Sequence, residues 1–193
     1  MQHYRRVITT VFVIATSIYA QSGYSEEDVW ALLKQGGYVV VMRHATADKS
    51  ADNARTLKIN DCSVQRNLSM YGREEAIKIG KSFRAHDIPV SEVISSQYCR
   101  TNDTARLAFN RVSNWQPLNL LNALPASERE ARTALVSERI NAYRGRDNII
   151  MVTHQPNITA LTFEVVEPGE FLVLKPDQSG EFDVVGRLTP GDL

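Results

Sequence analysis

Two arginines and two histidines stand in three short polar clusters of this sequence. Arg43 precedes His44, Arg100 follows a Ser-Ser pair, and His154 comes directly after a threonine. Two guanidinium groups can hold a phosphate dianion through paired donors, and they stay charged at every relevant pH. One neutral histidine could then attack phosphorus and form a phosphohistidine, while the other donates a hydrogen bond to a phosphoryl oxygen. The clusters therefore predict phosphoryl transfer that needs no metal ion and no other cofactor.

Each cluster follows a segment that is predicted to be a buried strand. Tyr38–Met42, Val90–Ser95 and Asn148–Thr153 are short, largely apolar runs, typical of strands covered on both faces. If the three strands are parallel neighbours, their carboxyl ends lie at one edge of the sheet, where α/β proteins bind ligands. A single arginine or histidine after a strand is more often structural than catalytic. Three clusters at equivalent strand ends favour one common site.

Helical patterns alternate with these strands. The first begins at Ser25, a good N-cap, with three acidic residues in its first turn, and it ends at Gly36-Gly37. We also expect a capping box at Ser127 and Glu130. Further helices are predicted at 71–85, 101–109 and 127–143, a weak strand at 117–121, and two strands joined by a turn at 171–174 and 182–188. The alternation predicts a three-layer α/β/α sandwich with a mainly parallel central sheet.

The first 20 residues differ from the remainder of the chain. Arg5 and Arg6 precede Val7–Ala20, which carries no charge. A basic start, a short apolar stretch and a small residue at its end are typical of a secretory signal peptide. We therefore expect a signal peptide at 1–20, a single domain at 21–193, and a periplasmic or secreted protein. The alternative is an uncleaved anchor, which would attach the protein to a membrane.

Export would affect the two cysteines of the chain, Cys62 and Cys99. In an oxidising compartment a disulfide can join them, although two separate reduced thiols fit the sequence equally well. Two cysteines are too few for a four-thiolate zinc site. The polar segment Thr46–Asn67, which contains Cys62, is long enough to be expected to form a functional loop.

The charge balance limits the partners that this protein can have. The chain has 193 residues, with 22 basic and 22 acidic side chains and a formal charge of zero. A broad nucleic-acid-binding surface is therefore not expected. The predicted partner is a small-molecule phosphomonoester, and the sequence does not indicate an oligomeric state.

Four segments of the chain resemble the signatures of one known superfamily. VVVMRHA at 39–45, NLSMYGREEA at 67–76, SSQYCRTNDTA at 95–105 and VTHQPNI at 152–158 are similar, in the same order, to the motifs of the histidine phosphatase (phosphoglycerate mutase-like) superfamily. The resemblance implies a phosphoglycerate mutase-like fold. It also implies that His44 is the phosphorylated nucleophile, with Arg43, Arg100 and His154 forming the phosphate pocket. DCSVQRNLS at 61–69 and the C-terminal GEFLVL and VVGRL segments further resemble the short exported branch grouped with the lipopolysaccharide core heptose-phosphate phosphatase.

The sequence departs from the superfamily pattern at two positions. Ala45 replaces the glycine that follows the first histidine, and Gln155 stands where acid-phosphatase relatives have an aspartate. A glutamine cannot protonate the leaving group. The candidates for that acid are Glu128, Glu170 and Asp48, and Glu128 could instead be a charge that stabilises a helix N-terminus.

Arg66 lies near the predicted mouth of the pocket. It either contacts substrate or links the polar loop to the following helix.

We expect an exported, metal-independent phosphomonoesterase that acts through phosphohistidine on a small phosphorylated substrate, with sugars and envelope components among the options. One alternative is a phosphohistidine protein phosphatase, suggested by the small size and the lack of a cap insertion. Another is a degenerate phosphate-binding module, suggested by Ala45 and the missing acid.

Overall fold

The computed structural model of the protein describes residues 25–49, 58–59, 61–177 and 179–189. The predicted signal peptide at 1–20 lies outside the described residues, and so does most of the stretch 50–60 in the predicted loop. Among the described residues, no helix combines the length and the apolar composition that crossing a bilayer requires.

One six-stranded sheet lies at the centre of the structure. Its strands are β1 (Val39–Arg43), β2 (Val90–Ser95), β3 (Ser113–Asn114), β4 (Asn148–Thr153), β5 (Phe171–Pro176) and β6 (Phe182–Leu188). The spatial order is β3-β2-β4-β1-β5-β6. Strands β3, β2, β4 and β1 are parallel neighbours, whereas β5 pairs antiparallel with both β1 and β6. Arg43 pairs with Thr153 and Ser95 pairs with Val152, so β1, β4 and β2 end at the same edge.

Helices cover both faces of the sheet. They are α1 (Glu26–Gln35), α2 (Met70–Ala85), α3 (Cys99–Phe109), α4 (Ala126–Asn141) and α5 (Gln155–Thr162). Because side chains alternate along a strand, Val40 and Met42 pack with α1, α2 and α3, while Val39 and Val41 pack with α4 and α5. The predicted three-layer α/β/α sandwich with a mainly parallel sheet is confirmed.

The prediction of a strand at 117–121 was wrong. Gln116–Leu118 forms a single turn of 3₁₀ helix, and the short β3 precedes it at Ser113–Asn114. Pro117 explains the difference, because proline has no N–H for a strand ladder but its fixed φ suits a helical turn.

Two features near helix starts also differ from the prediction. The expected capping box is wrong, because α4 begins at Ala126 after Pro125, without a side-chain cap, and Ser127 lies inside its first turn. Helix α5, which begins directly after His154, was not predicted. Its eight residues are too few to show a clear helical period.

The N-terminus of α2 holds the segment that follows His44. Ser69 accepts a hydrogen bond from Gly72 N and donates one to Thr46 O, while Glu75 accepts one from Thr46 N at 2.7 Å. A Cβ atom on Gly72 would lie 1.8 Å from Thr46 O, so only glycine permits this close approach. The predicted helix start thus positions the backbone immediately after the first site histidine.

Candidate active site

A cavity of about 440 Å³ lies at the edge where β1, β2 and β4 end. It contains five of the residues that the sequence marked as site candidates: Arg43, His44, Arg66, Arg100 and His154. Its remaining lining residues are Leu120, Asn122, Gln155 and Pro156. His44, Arg100 and His154 are each 3% exposed or less, so protein atoms surround the polar groups of these three side chains almost completely.

The end of β1 is fixed from both sides by backbone hydrogen bonds. His44 N donates to Thr153 O at 3.0 Å, and Gly169 N donates to His44 O at 3.2 Å. The side chain of Arg43 donates from Nη1 to Val166 O at 2.7 Å. Its Nε is buried and has no hydrogen-bond partner among the described residues. Arg43 therefore has a fixed position at the end of β1.

The hydrogen bonds of His44 define its tautomer. Nδ1 lies 2.7 Å from the carbonyl oxygen of Ala45, which can only accept, so Nδ1 carries the proton. Nε2 in turn accepts a hydrogen bond from Nε of Arg100 at 3.2 Å. His44 is thus a neutral imidazole whose Nε2 lone pair lies beside a guanidinium group. A nucleophilic histidine requires this protonation state.

His154 is held in the opposite tautomer. Its Nδ1 accepts from Nη2 of Arg100 at 3.3 Å, so the proton sits on Nε2, which donates to Oγ of Ser96 at 2.9 Å. Ser96 belongs to the Ser-Ser pair after β2 and also accepts from Tyr98 N. The ring centroids of His44 and His154 are 5.5 Å apart, with the Arg100 guanidinium bridging them.

The electrostatics of the cavity favour neutral imidazoles and a bound anion. Burial, reinforced by the charges of Arg100, Arg43 and Arg66, lowers the pKa of His44 to about 3. Burial and then the charge of Arg100 hold the pKa of His154 well below its usual range. In the part of the chain that the structure describes, no group of three or more histidine, cysteine or acidic side chains could hold a metal ion.

Helix α3 positions Arg100 through its neighbouring hydroxyl groups. Thr104 Oγ1 donates to Arg100 O at 2.8 Å and accepts from Ala45 N at 3.0 Å. The helix therefore connects the backbone after His44 to the residue that carries the guanidinium. The φ of Ala45 is not positive, so a methyl group at this position introduces no backbone strain.

Gln155 has a positioning role that the sequence did not reveal. Its Oε1 accepts from Val166 N at 2.9 Å, and its Nε2 donates to Thr159 Oγ1 and Glu164 O. Val166 is the residue whose carbonyl oxygen binds Arg43. Gln155 thus holds the loop that orients Arg43. The one sequence signal for this role is that a glutamine stands where an acid is expected.

The three candidate acids do not line the cavity. Glu128 is exposed in the first turn of α4 and pairs with Arg132. Glu170 is fully buried, accepts a hydrogen bond from Glu167 N and pairs with Arg187. Asp48 is exposed. The structure therefore brings the five arginines and histidines together and leaves all three carboxyl groups elsewhere.

A disulfide between Cys62 and Cys99 resolves the question that the sequence left open. It joins the polar loop to the first residue of α3, next to Arg100. Gln65 strengthens the connection by accepting from Cys99 N at 2.9 Å, and Arg100 Nη1 reaches Arg66 O at 3.4 Å. The disulfide thereby holds Arg66 at the cavity.

The sheet order and the two helix layers define a phosphoglycerate mutase-like fold. Among solved structures, the protein histidine phosphatase SixA in complex with tungstate is similar, with a TM-score of 0.59, 15% identity, and coverage of 80% of this chain and 98% of that one. Phosphoserine phosphatase from Entamoeba histolytica, in complex with phosphoserine, has a TM-score of 0.61 and 10% identity, covering 81% and 98%. A mycobacterial glucosyl-3-phosphoglycerate phosphatase complexed with VO3 has a TM-score of 0.55 and 15% identity, covering 78% of this chain and 98% of that one.

No protein-family model and no curated protein match the chain. At these identities the similarity establishes the fold.

The lowered pKa of His44 predicts that the protein loses stability in acid. The unfolded chain binds this proton near pH 6.5 and the folded chain only near pH 3, so the stabilisation present above pH 6.5 is lost progressively as the pH falls toward 3. At pH 5 the loss from His44 alone is about 2 kcal/mol. Urea unfolding at pH 7 and pH 5 should therefore show a smaller loss for His44→Gln than for the unchanged protein. His86→Gln, which replaces an exposed histidine outside the cavity, is the matched control and should behave like the unchanged protein. An identical loss in His44→Gln would contradict the assignment.

The disulfide predicts a joint effect of reduction on stability and on anion binding. The double variant Cys62→Ser/Cys99→Ser should lose about 2–4 kcal/mol of unfolding free energy. It should also bind inorganic phosphate more weakly, because the loop that carries Arg66 is no longer attached to α3. Urea unfolding and calorimetry measure the two effects, and dithiothreitol should reproduce both in the unchanged protein while leaving the double variant unaffected. Unchanged phosphate affinity on reduction would show that the loop is held in place without the disulfide.

Proposed function

We propose that this protein is a phosphomonoesterase that acts without a metal ion and forms a phosphohistidine at Nε2 of His44. The observation that carries the proposal is the pair of hydrogen bonds that leave this buried imidazole neutral, with its Nε2 lone pair beside Arg100. Fold similarity to phosphatases adds support, although the identities are low. Three arginines supply the positive charge that a metal ion supplies in other phosphoryl-transfer sites.

The proposed reaction begins when the phosphate dianion binds between Arg43 and Arg100. A phosphoryl oxygen then accepts from Nε of Arg100 in place of His44, which frees the Nε2 lone pair of His44. Nε2 of His44 attacks phosphorus, the phosphorus–nitrogen bond forms, and the ester bond breaks with its electron pair going to the leaving oxygen. The proton on Nδ1 stays on the ring, where the carbonyl oxygen of Ala45 stabilises the resulting imidazolium. Water then attacks phosphorus, and the phosphorus–nitrogen bond breaks with its electron pair returning to Nε2. The released phosphate keeps one proton of the water, and the other proton passes to solvent.

His154 changes its hydrogen bonding when phosphate binds. In the structure its Nδ1 accepts from Arg100, so it can donate to a phosphoryl oxygen only after taking up a proton. A bound dianion favours that protonation, since an opposite charge nearby raises the pKa of an imidazole. Ser96 holds the ring in place on its other side throughout.

The leaving oxygen must also acquire a proton. Among the described residues, no carboxyl group lines the cavity. An aryl phosphate, whose leaving group is already acidic, does not depend on such a donor. Aryl esters are therefore the appropriate test substrates.

The proposal predicts an acid-labile phosphoenzyme. Incubated with an aryl phosphate in EDTA, the protein should release the phenol and become labelled at His44, as detected by quenched-flow trapping and peptide mass spectrometry. His44→Ala should lose the label and lower turnover by several orders of magnitude, because the nucleophile is gone. His86→Ala controls for loss of a histidine outside the cavity.

The same experiment separates the two alternative functions. Tight phosphate binding without label or turnover would favour the degenerate binding module. Label from a phosphohistidine peptide, with aryl phosphates unreactive, would favour the phosphohistidine protein phosphatase, for which the fold similarity to SixA is the specific observation. Equal turnover by His44→Ala would overturn the choice of nucleophile.

We further propose that the protein is exported and acts on a phosphorylated sugar or another envelope component. The pattern of residues 1–20 supports export, as does the Cys62–Cys99 disulfide, because disulfides persist in oxidising compartments. The resemblance to the exported heptose-phosphate phosphatase branch supports the substrate class.

Export predicts a specific mature N-terminus. Expressed in full in a Gram-negative host, the chain should be recovered from the periplasm with its N-terminus at Gln21, as measured by intact mass and N-terminal sequencing. Phe12→Asp, which interrupts the apolar stretch, should retain the uncleaved chain in the cytoplasm. Recovery of the unchanged protein with residues 1–20 attached would argue against cleavage, and the membrane or cytoplasmic fraction would then show whether it is anchored.

A further inference from the structure

A second cavity, of about 800 Å³, adjoins the arginine-lined one. It is a groove between α4 and α5. Helix α4 lines it with residues 126, 129, 130, 133 and 134, which lie on one helical face at i, i+3, i+4, i+7 and i+8. Helix α5 contributes the opposite wall, and Leu121 lies between them.

The groove and the arginine-lined cavity lie side by side and share part of their lining. Asn122, Gln155 and Pro156 line both of them. The organic part of a phosphomonoester whose phosphate is bound by Arg43 and Arg100 therefore lies next to the groove.

The two cavities differ in chemistry. The surface of the groove is mainly apolar, although Arg129, Glu130 and two threonines also line it. Its apolar part is formed by small or rigid side chains: Ala126, Ala134, Pro156, Ala160 and Leu121. The arginine-lined cavity is as polar as it is apolar and carries three guanidinium groups. Apolar surface is stabilised when contact with apolar groups removes it from water. The groove thus suits an apolar group rather than a phosphate.

We propose that the groove binds the leaving group of the phosphomonoester, and that the substrate carries an apolar chain or ring beside its phosphate ester. The proposal rests on the proposed function for the orientation of the substrate, and it restricts the substrate class further. A sugar phosphate with only hydroxyl groups around the ester would leave the alanine and proline walls in contact with water. A phosphorylated sugar that bears an apolar substituent would satisfy both cavities.

The groove can be filled by replacing its small side chains with larger ones, and this tests the proposal. Ala134 on α4 and Ala160 on α5 are exposed, so a larger side chain at either position projects into the groove without entering the core. Ala131 is also exposed on α4 but does not line the groove, because it lies about 140° around the helix from Ala126 and about 160° from positions 129 and 133. Ala131→Trp is therefore the matched control for Ala134→Trp.

The experiment compares phenyl, 4-ethylphenyl and 4-butylphenyl phosphate, whose leaving groups have nearly the same acidity but differ in apolar length. Each methylene that enters the groove should raise kcat/KM roughly two- to fourfold, so the butyl ester should exceed the phenyl ester by at least about tenfold. A 4-(2-hydroxyethyl)phenyl ester, similar in size to a propyl ester but polar, should show little gain. Ala134→Trp and Ala160→Trp should abolish the dependence on length, and Ala131→Trp should keep it.

Binding of phosphonates tests the groove independently of turnover. 4-Butylphenylphosphonate should bind at least about tenfold more tightly than phenylphosphonate by calorimetry, and Ala134→Trp should remove this difference. If no ester is hydrolysed but the phosphonate preference is found, the proposed function fails and the groove stands. If phenyl phosphate is hydrolysed in a His44-dependent manner but rates and affinities do not vary with chain length, the proposed function stands and the groove proposal is overturned. Loss of the length dependence in Ala131→Trp as well would also overturn it.

Discussion

The guanidinium group of Arg100 lies between two neutral imidazoles, and this contact determines the state of the site. Arg100 is 2% exposed and donates to Nε2 of His44 and to Nδ1 of His154. Both nitrogens must therefore lack a proton, which leaves Nδ1 of His44 and Nε2 of His154 to donate to a carbonyl and a hydroxyl oxygen. A protonated imidazole in either position would face the guanidinium at hydrogen-bond distance, which is costly in a buried site. The tautomers thus follow from the position of one cation.

Much of the surrounding structure serves to hold that cation in place. Helix α3 is attached to the end of β2 because Thr101 and Asn102 both donate to Ser96 O. It is attached to the backbone after His44 through Thr104, and to the polar loop through the Cys62–Cys99 disulfide. Three separate segments therefore meet at the first two turns of α3. A buried charge requires such fixed partners, because any loosening leaves it without compensation.

The strands that carry the site could be predicted from the sequence, whereas the contacts that refine it could not. A strand covered on both faces gives a continuous apolar run, and the polar residues that follow it stand out for that reason. Arg43, Arg100 and His154 were identifiable on those grounds. The contact from Gln155 through Val166 to Arg43 depends on a loop folding back over eleven residues, for which no local pattern exists. The disulfide likewise depends on a distance that only the folded chain defines, and Pro117 converted a strand-like run into a helical turn.

Gln155 lies between the two cavities, and its contacts give it a structural role even though it cannot act as an acid. The side chain lines both the arginine-lined cavity and the groove, and it also holds the loop that orients Arg43. A group bound in the groove would press against the residue that positions Arg43, for which we propose phosphate binding. Binding energy from the organic part of a substrate could in this way improve the alignment of Arg43, which is how remote contacts contribute to catalysis when they act in the transition state. An aspartate at the same position would be shorter and could not both accept from Val166 N and donate to Glu164 O. The glutamine therefore links the lining of the groove to the loop that orients Arg43.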